Sequence, residues 1–277
     1  MTSDGVWMGQ TAYVHQLLAK YGMEECYAVK TPMDIGEVAN SPMLDGNMAA
    51  QFRALTGSLI YLSNTRPDLC FVANWLSRGM QSPTEYHWVV AKRVLKYLKD
   101  TSQYGIWYGS NDSDVKLMAY SDAGEGHGHS TRCTTGFATF LDSSSSPISW
   151  GTRLQPVLAQ SITEAEFVAI NETKNEVLWL RSILEDLDER QVGPSTILGD
   201  NQGSLAIAKN PEGIKKTKHI DRKYQSIIQH VREGRVQVEY CGTAYMVADV
   251  FTKPLSAPIF AKHADILICP IPVLQDA

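Results

Sequence analysis

The spacing of apolar residues divides the chain into a helical first part and a second part that mixes strands with helices. In the first part, apolar side chains recur every three or four residues in the ranges 10–22, 51–63, 67–80 and 83–98. Such spacing places one apolar stripe on each helix, so the first hundred residues are predicted to be mostly helical. A stretch rich in Pro, Gly and Asn, residues 31–47, is predicted to be an irregular connection between these helices.

From about Gly105 onwards, the pattern changes to short apolar runs that are separated by polar turns. The predicted elements are three strands (115–120, 135–141 and 147–150), a long helix (163–187), a strand (196–198), two helices (202–209 and 219–232), a strand (236–241) and a last helical turn (246–251). Strands that alternate with helices in this way predict an α/β domain with a mixed sheet that is packed by helices.

Composition and charge indicate an ordinary globular chain. Apolar residues make up 44% and charged residues 20% of the sequence, and the formal net charge of −5 argues against a protein that simply coats nucleic acid. The five cysteines lie far apart, which predicts reduced thiols and no disulfide framework. With neither a signal peptide nor an apolar run of membrane-spanning length, we expect a soluble intracellular protein, cytoplasmic or nuclear, with no membrane partner.

Four carboxylates stand where the predicted strands end or helices begin. Asp122 follows the strand that ends at Tyr120, Glu166 lies in the first turn of the long helix, Asp200 ends the fourth strand, and Asp249 lies in the last helical turn. Strand ends at one edge of an α/β sheet are where active sites assemble. Carboxylates gathered there would repel one another unless cations neutralised them.

Magnesium is the cation that such a cluster predicts, because it is a hard ion that prefers oxygen ligands and retains water. Two ions about 4 Å apart could activate a water molecule and stabilise the leaving oxygen of a phosphodiester. The predicted cofactor is therefore Mg²⁺, two ions per site, with Mn²⁺ as the alternative ion.

Each of the four carboxylates also has a purely structural interpretation. The three aspartates could serve only as a turn residue, a helix cap or a helix-start residue. Glu166 could be the partner of Thr163 in a capping box. However, Ser161 and Glu164 form a second pair of this kind, so a cap can form without Glu166. The hypothesis of a metal site therefore rests on the set and not on any single member.

A series of short strings resembles the C-terminal part of Pol polyproteins from Ty1/copia-type retrotransposons. In the second part of the chain, the matching strings are residues 119–123, 134–137, 147–150, 161–169, 177–181, 200–202, 217–221 and 248–255. In the first part, the strings similar to the segment after the polymerase palm are residues 17–23, 31–33, 61–62, 65–68 and 95–98. The two stretches in which these strings lie cover nearly the whole chain.

The resemblance implies an α/β, ribonuclease H-like fold: a mixed five-stranded sheet with flanking helices, preceded by a mostly helical segment like a polymerase thumb or connection. We expect residues 1–110 to be this post-palm remnant, residues 114–255 to be the ribonuclease H-like domain, and residues 256–277 to be an irregular tail. The start and the tail of the chain lead us to expect a truncated or decayed copy of an element.

The activity that the resemblance implies is Mg²⁺-dependent hydrolysis of the RNA strand of RNA–DNA hybrids. By motif position, Asp122, Glu166, Asp200 and the more variable Asp249 match the catalytic, metal-binding carboxylates of the family. The Tyr-x-Asp-Asp turn of the polymerase site is absent from this sequence, so polymerase activity is not expected from this chain. Where the family usually has Asp-Trp-Ala-Gly, this chain has Gly-Glu-Gly-His at 124–127, so we expect a differently shaped loop after Asp122.

The predicted contacts with nucleic acid come from two groups of residues. These predicted contact residues are Asn201, Gln202, Lys215, Lys216, Lys218 and His219. Amide groups beside Asp200 are plausible donors to 2′-hydroxyls, and the lysines are suited to backbone phosphates. The alternatives are that the lysines form a solvated helix face and that His219 is a packed residue.

Three functional hypotheses follow from the sequence. The first is an endonuclease that acts on RNA–DNA hybrids with an inert polymerase remnant attached. The second is a catalytically inactive, nucleic-acid-binding relic of a truncated retroelement. The third is a domain that functions only with the rest of a Pol polyprotein as its partner.

Overall fold

The computed structural model describes most of the chain and resolves it into two compact units. The described residues are 5–34, 41–109, 115–126, 130–142, 146–210 and 226–272. Of these, residues 5–34, 41–109 and 253–272 form the first unit and the others form the second. Within these ranges, none of the helices combines the length and the apolar character that a bilayer crossing requires.

Helices and strands follow one another along both units as follows. The α-helices are α1 (Thr11–Lys20), α2 (Gly46–Leu62), α3 (Cys70–Arg78), α4 (Glu85–Asp100), α5 (Ile162–Asp186), α6 (Gln202–Lys209), α7 (Ser226–Arg232) and α8 (Ala257–Leu267). The strands are β1 (Gly5–Met8), β2 (Tyr104–Gly109), β3 (Met118–Gly124), β4 (Thr134–Phe140), β5 (Ser149–Leu154), β6 (Ser195–Gly199), β7 (Val236–Tyr240) and β8 (Cys269–Pro270). Short 3₁₀ helices span Pro67–Leu69, Thr243–Tyr245 and Val247–Phe251.

The first unit contains the predicted helices α1 to α4 and two features that the sequence prediction does not include. One is a small antiparallel sheet in which β2 pairs with β1 on one side and with β8 on the other. The other is α8, in a segment predicted to be an irregular tail; this prediction is wrong. Phe260, Ala264 and Leu267 recur at helical spacing and are buried, and Pro258 lies in the first turn, where a proline is tolerated.

A buried ion pair ties the segment before α3 to the end of α4. Arg66 is only 1% exposed, and its Nε and Nη2 donate to the two carboxylate oxygens of Asp68 at 2.9 and 2.7 Å. Arg66 Nη1 also donates to the carbonyl oxygen of Thr101 at 2.8 Å, and the Tyr97 hydroxyl donates to Asp68 at 2.8 Å. Two buried charges are tolerable here because they are matched as a bidentate pair with further hydrogen bonds.

Replacing Asp68 by Asn should destabilise the first unit by about 3–5 kcal/mol, because the buried Arg66 guanidinium would keep its charge and lose its counter-ion. Equilibrium unfolding in urea measures the change. The matched control is Asp100→Asn, which removes the partner of the exposed Lys30 at 2.7 Å and should barely move the unfolding midpoint. Equal effects of the two substitutions would contradict the assigned role of the buried pair.

The second unit is built on a five-stranded mixed sheet in the order β5-β4-β3-β6-β7. The β3–β4 and β4–β5 pairs are antiparallel, whereas β3–β6 and β6–β7 are parallel. Helix α5 connects the antiparallel part to β6, and its buried face includes Phe167, Val168, Ile170, Val177 and Leu180. This arrangement confirms the predicted fold class, a ribonuclease H-like mixed five-stranded sheet with flanking helices.

Two differences from the sequence prediction affect the site. Strand β3 continues to Gly124, so Asp122 lies within the strand, opposite Gly136 of β4, and not after its end. The antiparallel partner β4 extends the pairing past Tyr120, where the apolar run stops. The predicted helix 219–232 is seen as α7 from Ser226 onwards, and residues 211–225 lie outside the described residues.

Candidate metal centre

Three carboxylates from distant parts of the sequence meet at one edge of the five-stranded sheet. One oxygen each of Asp122, Glu166 and Asp200 can be chosen so that all three lie within 4.8 Å of one another. The register of the parallel strands brings two of them together: Tyr120 of β3 is level with Leu198 of β6, and each aspartate follows two residues later. Asp122 and Glu166 are buried, at 1% and 4% exposure, while Asp200 is partly exposed.

The start of α5 shows that Glu166 is not a capping residue. The Ser161 hydroxyl accepts a hydrogen bond from the Glu164 backbone N–H at 3.2 Å, and the Glu164 carboxylate accepts one from the Gln160 N–H at 2.8 Å. Ser161 and Glu164 therefore supply the cap. Glu166 is left to face the two aspartates, as the hypothesis of a metal site requires.

Asp200 is likewise not the cap of the helix that follows it. Helix α6 is capped by the Asn201 side chain, whose oxygen accepts from the Ser204 N–H at 2.9 Å. The Asp200 carboxylate instead accepts a hydrogen bond from the Thr243 hydroxyl at 2.9 Å. On the other side of the cluster, the Thr252 hydroxyl donates to Asp122. Two threonines that the sequence analysis does not single out thus contact two of the three carboxylates.

The fourth predicted carboxylate, Asp249, is buried in the 3₁₀ helix Val247–Phe251. Among the residues that the structure describes, the group of mutually close carboxylate oxygens does not include it. Its charge is nevertheless felt in the same region: burial, then Asp200, then Asp249 raise the pKa of the Cys241 thiol. Asp249 as a metal ligand therefore stays a prediction.

The predicted nucleic-acid contacts divide into two sets. Asn201 and Gln202 lie directly beside Asp200, where α6 begins, although the Asn201 side-chain oxygen is used by the helix cap. Lys215, Lys216, Lys218 and His219 lie outside the described residues. The role of both sets in binding stays a prediction.

Glu166 is the carboxyl group of the cluster whose pKa is raised by burial and by the neighbouring charges. Burial, then the charges of Asp122 and Asp200, raise the pKa of Glu166 to about 10, against the lowering effect of a hydrogen bond from the Ala123 backbone. The Glu166 carboxyl group also hydrogen-bonds to the Asp122 side chain. Its Oε2 atom is buried and has no hydrogen-bond partner among the described residues. At neutral pH, Glu166 is therefore protonated in the metal-free protein.

The residues present fit a hard divalent cation. The ligand set consists of carboxylate oxygens, which such ions prefer, and a cation would neutralise the charges that repel one another. A cation would also give the buried Glu166 Oε2 the partner that it lacks among the described residues. The cluster could thus hold a metal ion, and Asp122, Glu166 and Asp200 would hold it.

Comparison with known proteins identifies related sequences. No family model matches the chain. The Retrovirus-related Pol polyprotein from transposon RE2 of Arabidopsis thaliana is 35% identical over 94% of this chain and 18% of its own length. The corresponding polyprotein from transposon TNT 1-94 of Nicotiana tabacum is 32% identical over 91% of this chain and 19% of its own length. The chain thus spans about a fifth of the length of these relatives.

Comparison with solved structures finds a match with a low TM-score. The N-terminal ribonuclease H domain of Rv2228c from Mycobacterium tuberculosis, fused to maltose-binding protein, has a TM-score of 0.35 and 14% identity to this chain. The match covers 55% of this chain and 97% of that one. The fold class is assigned from the order and direction of the strands, and the family is assigned from the sequence relatives. The chain belongs to the family of Pol polyproteins from Ty1/copia-type retrotransposons.

Proposed function

We propose that this chain is a metal-dependent endonuclease that hydrolyses the RNA strand of RNA–DNA hybrids, as one part of a retrotransposon Pol polyprotein. The observation that carries the proposal is the convergence of Asp122, Glu166 and Asp200 at one sheet edge in a chain of this family. In this proposal, residues 114–255 are the nuclease domain and residues 1–110 are a post-palm remnant of the polymerase. The rest of the polyprotein is its partner.

The proposed cofactor is Mg²⁺, two ions per site, with Mn²⁺ able to replace it. Asp122, Glu166 and Asp200 would hold the ions, and Asp249 would complete the second site. When bound, the ions supply an activated water molecule and stabilise the leaving oxygen of the phosphodiester. The hardness of the all-carboxylate ligand set supports Mg²⁺ over softer metals, which favour thiolate or imidazole ligands.

The residues of the chain have three tasks in this proposal. The carboxylates orient the ions, and Glu166 releases the proton that it holds in the metal-free protein. Asn201 and Gln202 would donate to 2′-hydroxyls of the RNA strand, which distinguish RNA from DNA. The predicted lysine cluster, Lys215, Lys216 and Lys218 with His219, would contact the phosphate backbone without sequence preference.

The arrangement of the carboxylates supports an active nuclease over an inactive relic that only binds nucleic acid. Replacing any one of the three by its amide would relieve repulsion in a protein that binds no metal, yet all three are present and two are almost fully buried. The altered loop sequence at 124–127 favours the relic. Cleavage of a hybrid decides between the two.

Asp200→Asn should reduce cleavage at least about 100-fold, because the amide keeps the shape of the side chain and loses the charge that binds the ion. The measurement is Mg²⁺-dependent cutting of a labelled RNA strand annealed to DNA. The matched control is Glu164→Gln, in the cap of α5 two residues before Glu166, which should leave the cleavage rate unchanged. Full activity of the Asp200 variant would remove this residue from the centre. Salt-sensitive binding of the hybrid by the wild-type protein without cleavage would establish the relic.

The metal-free protein should lose stability as the pH rises from about 4.5 towards 10. Over this interval the unfolded chain has released the Glu166 proton and the folded protein still holds it, because the folded pKa is about 10. The proton is therefore lost on unfolding, and this residue lowers the free energy of unfolding by up to about 1.4 kcal/mol per pH unit. Unfolding in EDTA at a series of pH values measures the slope.

Glu166→Gln is the control for this pH dependence, because glutamine is neutral in both states. Its stability should vary less with pH than that of the wild-type protein and should exceed it above neutral pH. Added Mg²⁺ should stabilise the wild-type protein more strongly as the pH rises, since ligand carboxyls must ionise to bind. Identical dependence of stability on pH for the two proteins in EDTA would show that the pKa of Glu166 is not raised in the folded protein.

A further inference from the structure

We propose that Thr252 is a positioning residue of the metal centre, whose hydroxyl holds the Asp122 carboxylate in the orientation that a shared ion needs. The inference deepens the proposed function and rests on it, because it assigns Asp122 to metal binding. Thr252 is fully buried, and its hydroxyl donates to Oδ2 of Asp122. The same hydroxyl lies 3.3 Å from the carbonyl oxygen of Asp249, so it also links Asp122 to the segment that carries the fourth carboxylate.

Two glycines make room for Thr252 beside Asp122. Gly136 stands directly opposite Asp122 in the β3–β4 pair, and a Cβ atom there would lie only 2.5 Å from Cγ2 of Thr252 and 2.7 Å from Cβ of Phe251. A Cβ atom at Gly124 of β3 would lie 2.4 Å from the carbonyl oxygen of Thr252. Any larger residue at these places would push Thr252 off the sheet and away from Asp122.

The segment that carries Thr252 is also held from a third strand. The Thr152 hydroxyl of β5 donates to the carbonyl oxygen of Phe251 at 2.8 Å. With the two glycines, this bond places the end of the 3₁₀ helix Val247–Phe251 against β3, β4 and β5. The backbone that carries Thr252 is therefore held next to Asp122, although the two residues are 130 positions apart in the sequence.

The contact helps to orient Asp122 because it fixes the position of one of the two carboxylate oxygens. With Oδ2 bonded to the Thr252 hydroxyl, rotation of the Asp122 carboxylate is restricted. Hydrogen bonds of this kind fix the direction of metal ligands, and their loss typically weakens metal binding by about 10–100-fold. A purely structural hydroxyl would affect folding but leave metal affinity unchanged.

The test compares three variants of the full chain by calorimetric titration with Mn²⁺. Thr252→Val removes the hydroxyl at nearly constant volume and should weaken Mn²⁺ binding about 10–100-fold. Thr252→Ser keeps the hydroxyl and should bind Mn²⁺ almost as tightly as the wild-type protein. Thr152→Val loosens the same segment but keeps the Thr252 hydroxyl, so it should lower the unfolding midpoint in EDTA and weaken Mn²⁺ binding less than Thr252→Val does. Should the valine variant fail to fold, Thr252→Ala serves in its place.

The outcomes separate this inference from the proposed function. Weakened Mn²⁺ binding by Thr252→Val, with affinity kept in Thr252→Ser, supports the positioning role even if the wild-type protein leaves hybrids uncut. Wild-type affinity in Thr252→Val, or an equal loss in Thr152→Val, overturns the positioning role even if the wild-type protein cleaves. A wild-type protein that binds no Mn²⁺ overturns both.

Discussion

Repulsion between buried negative charges is the constraint around which the second unit is organised. Three carboxylates whose oxygens lie within 4.8 Å would separate if their backbones allowed it. They stay together because each lies in or next to a regular element: Asp122 in β3, Asp200 after β6, and Glu166 near the start of α5. In the metal-free protein the repulsion is relieved by a proton on Glu166, and a cation would relieve it more completely.

The core of the second unit is what holds these elements against that repulsion. Helix α5 is 25 residues long and packs Phe167, Ile170 and Val177 against the sheet, so the Glu166 backbone is fixed by burial further along the same helix. The parallel β3–β6 pair fixes the two aspartates at the same level. Charged residues are thereby held at the rim of an apolar core, where burial makes each charge more costly and also strengthens its attraction for a cation.

Much of this arrangement could be predicted from the sequence, because helices and strands leave local patterns of apolar spacing. At the start of α5, the pair of Ser161 and Glu164 correctly indicates that Glu166 is not needed as a capping residue. What could not be predicted depends on contacts between distant residues. That Asp122 lies inside β3 follows from pairing with Gly136, and strands β1 and β8 follow from pairing with β2 in the first unit. The Thr252 contact, which spans 130 positions, leaves no local signal.

The acidic character of the chain bears on how a nucleic acid could approach this centre. The net charge of −5 and the carboxylates gathered at the sheet edge disfavour the approach of a phosphate to the metal-free centre. In the proposed nuclease, two divalent cations would balance the charge of the four proposed carboxylate ligands, so metal binding would remove the repulsion that a phosphodiester meets at this edge. Metal and substrate would then favour each other's binding, because the ions remove the repulsion that a phosphate meets at the carboxylates. In the proposed nuclease, the elements that hold the carboxylates in place would therefore influence substrate binding as well as catalysis, even where they do not touch the nucleic acid.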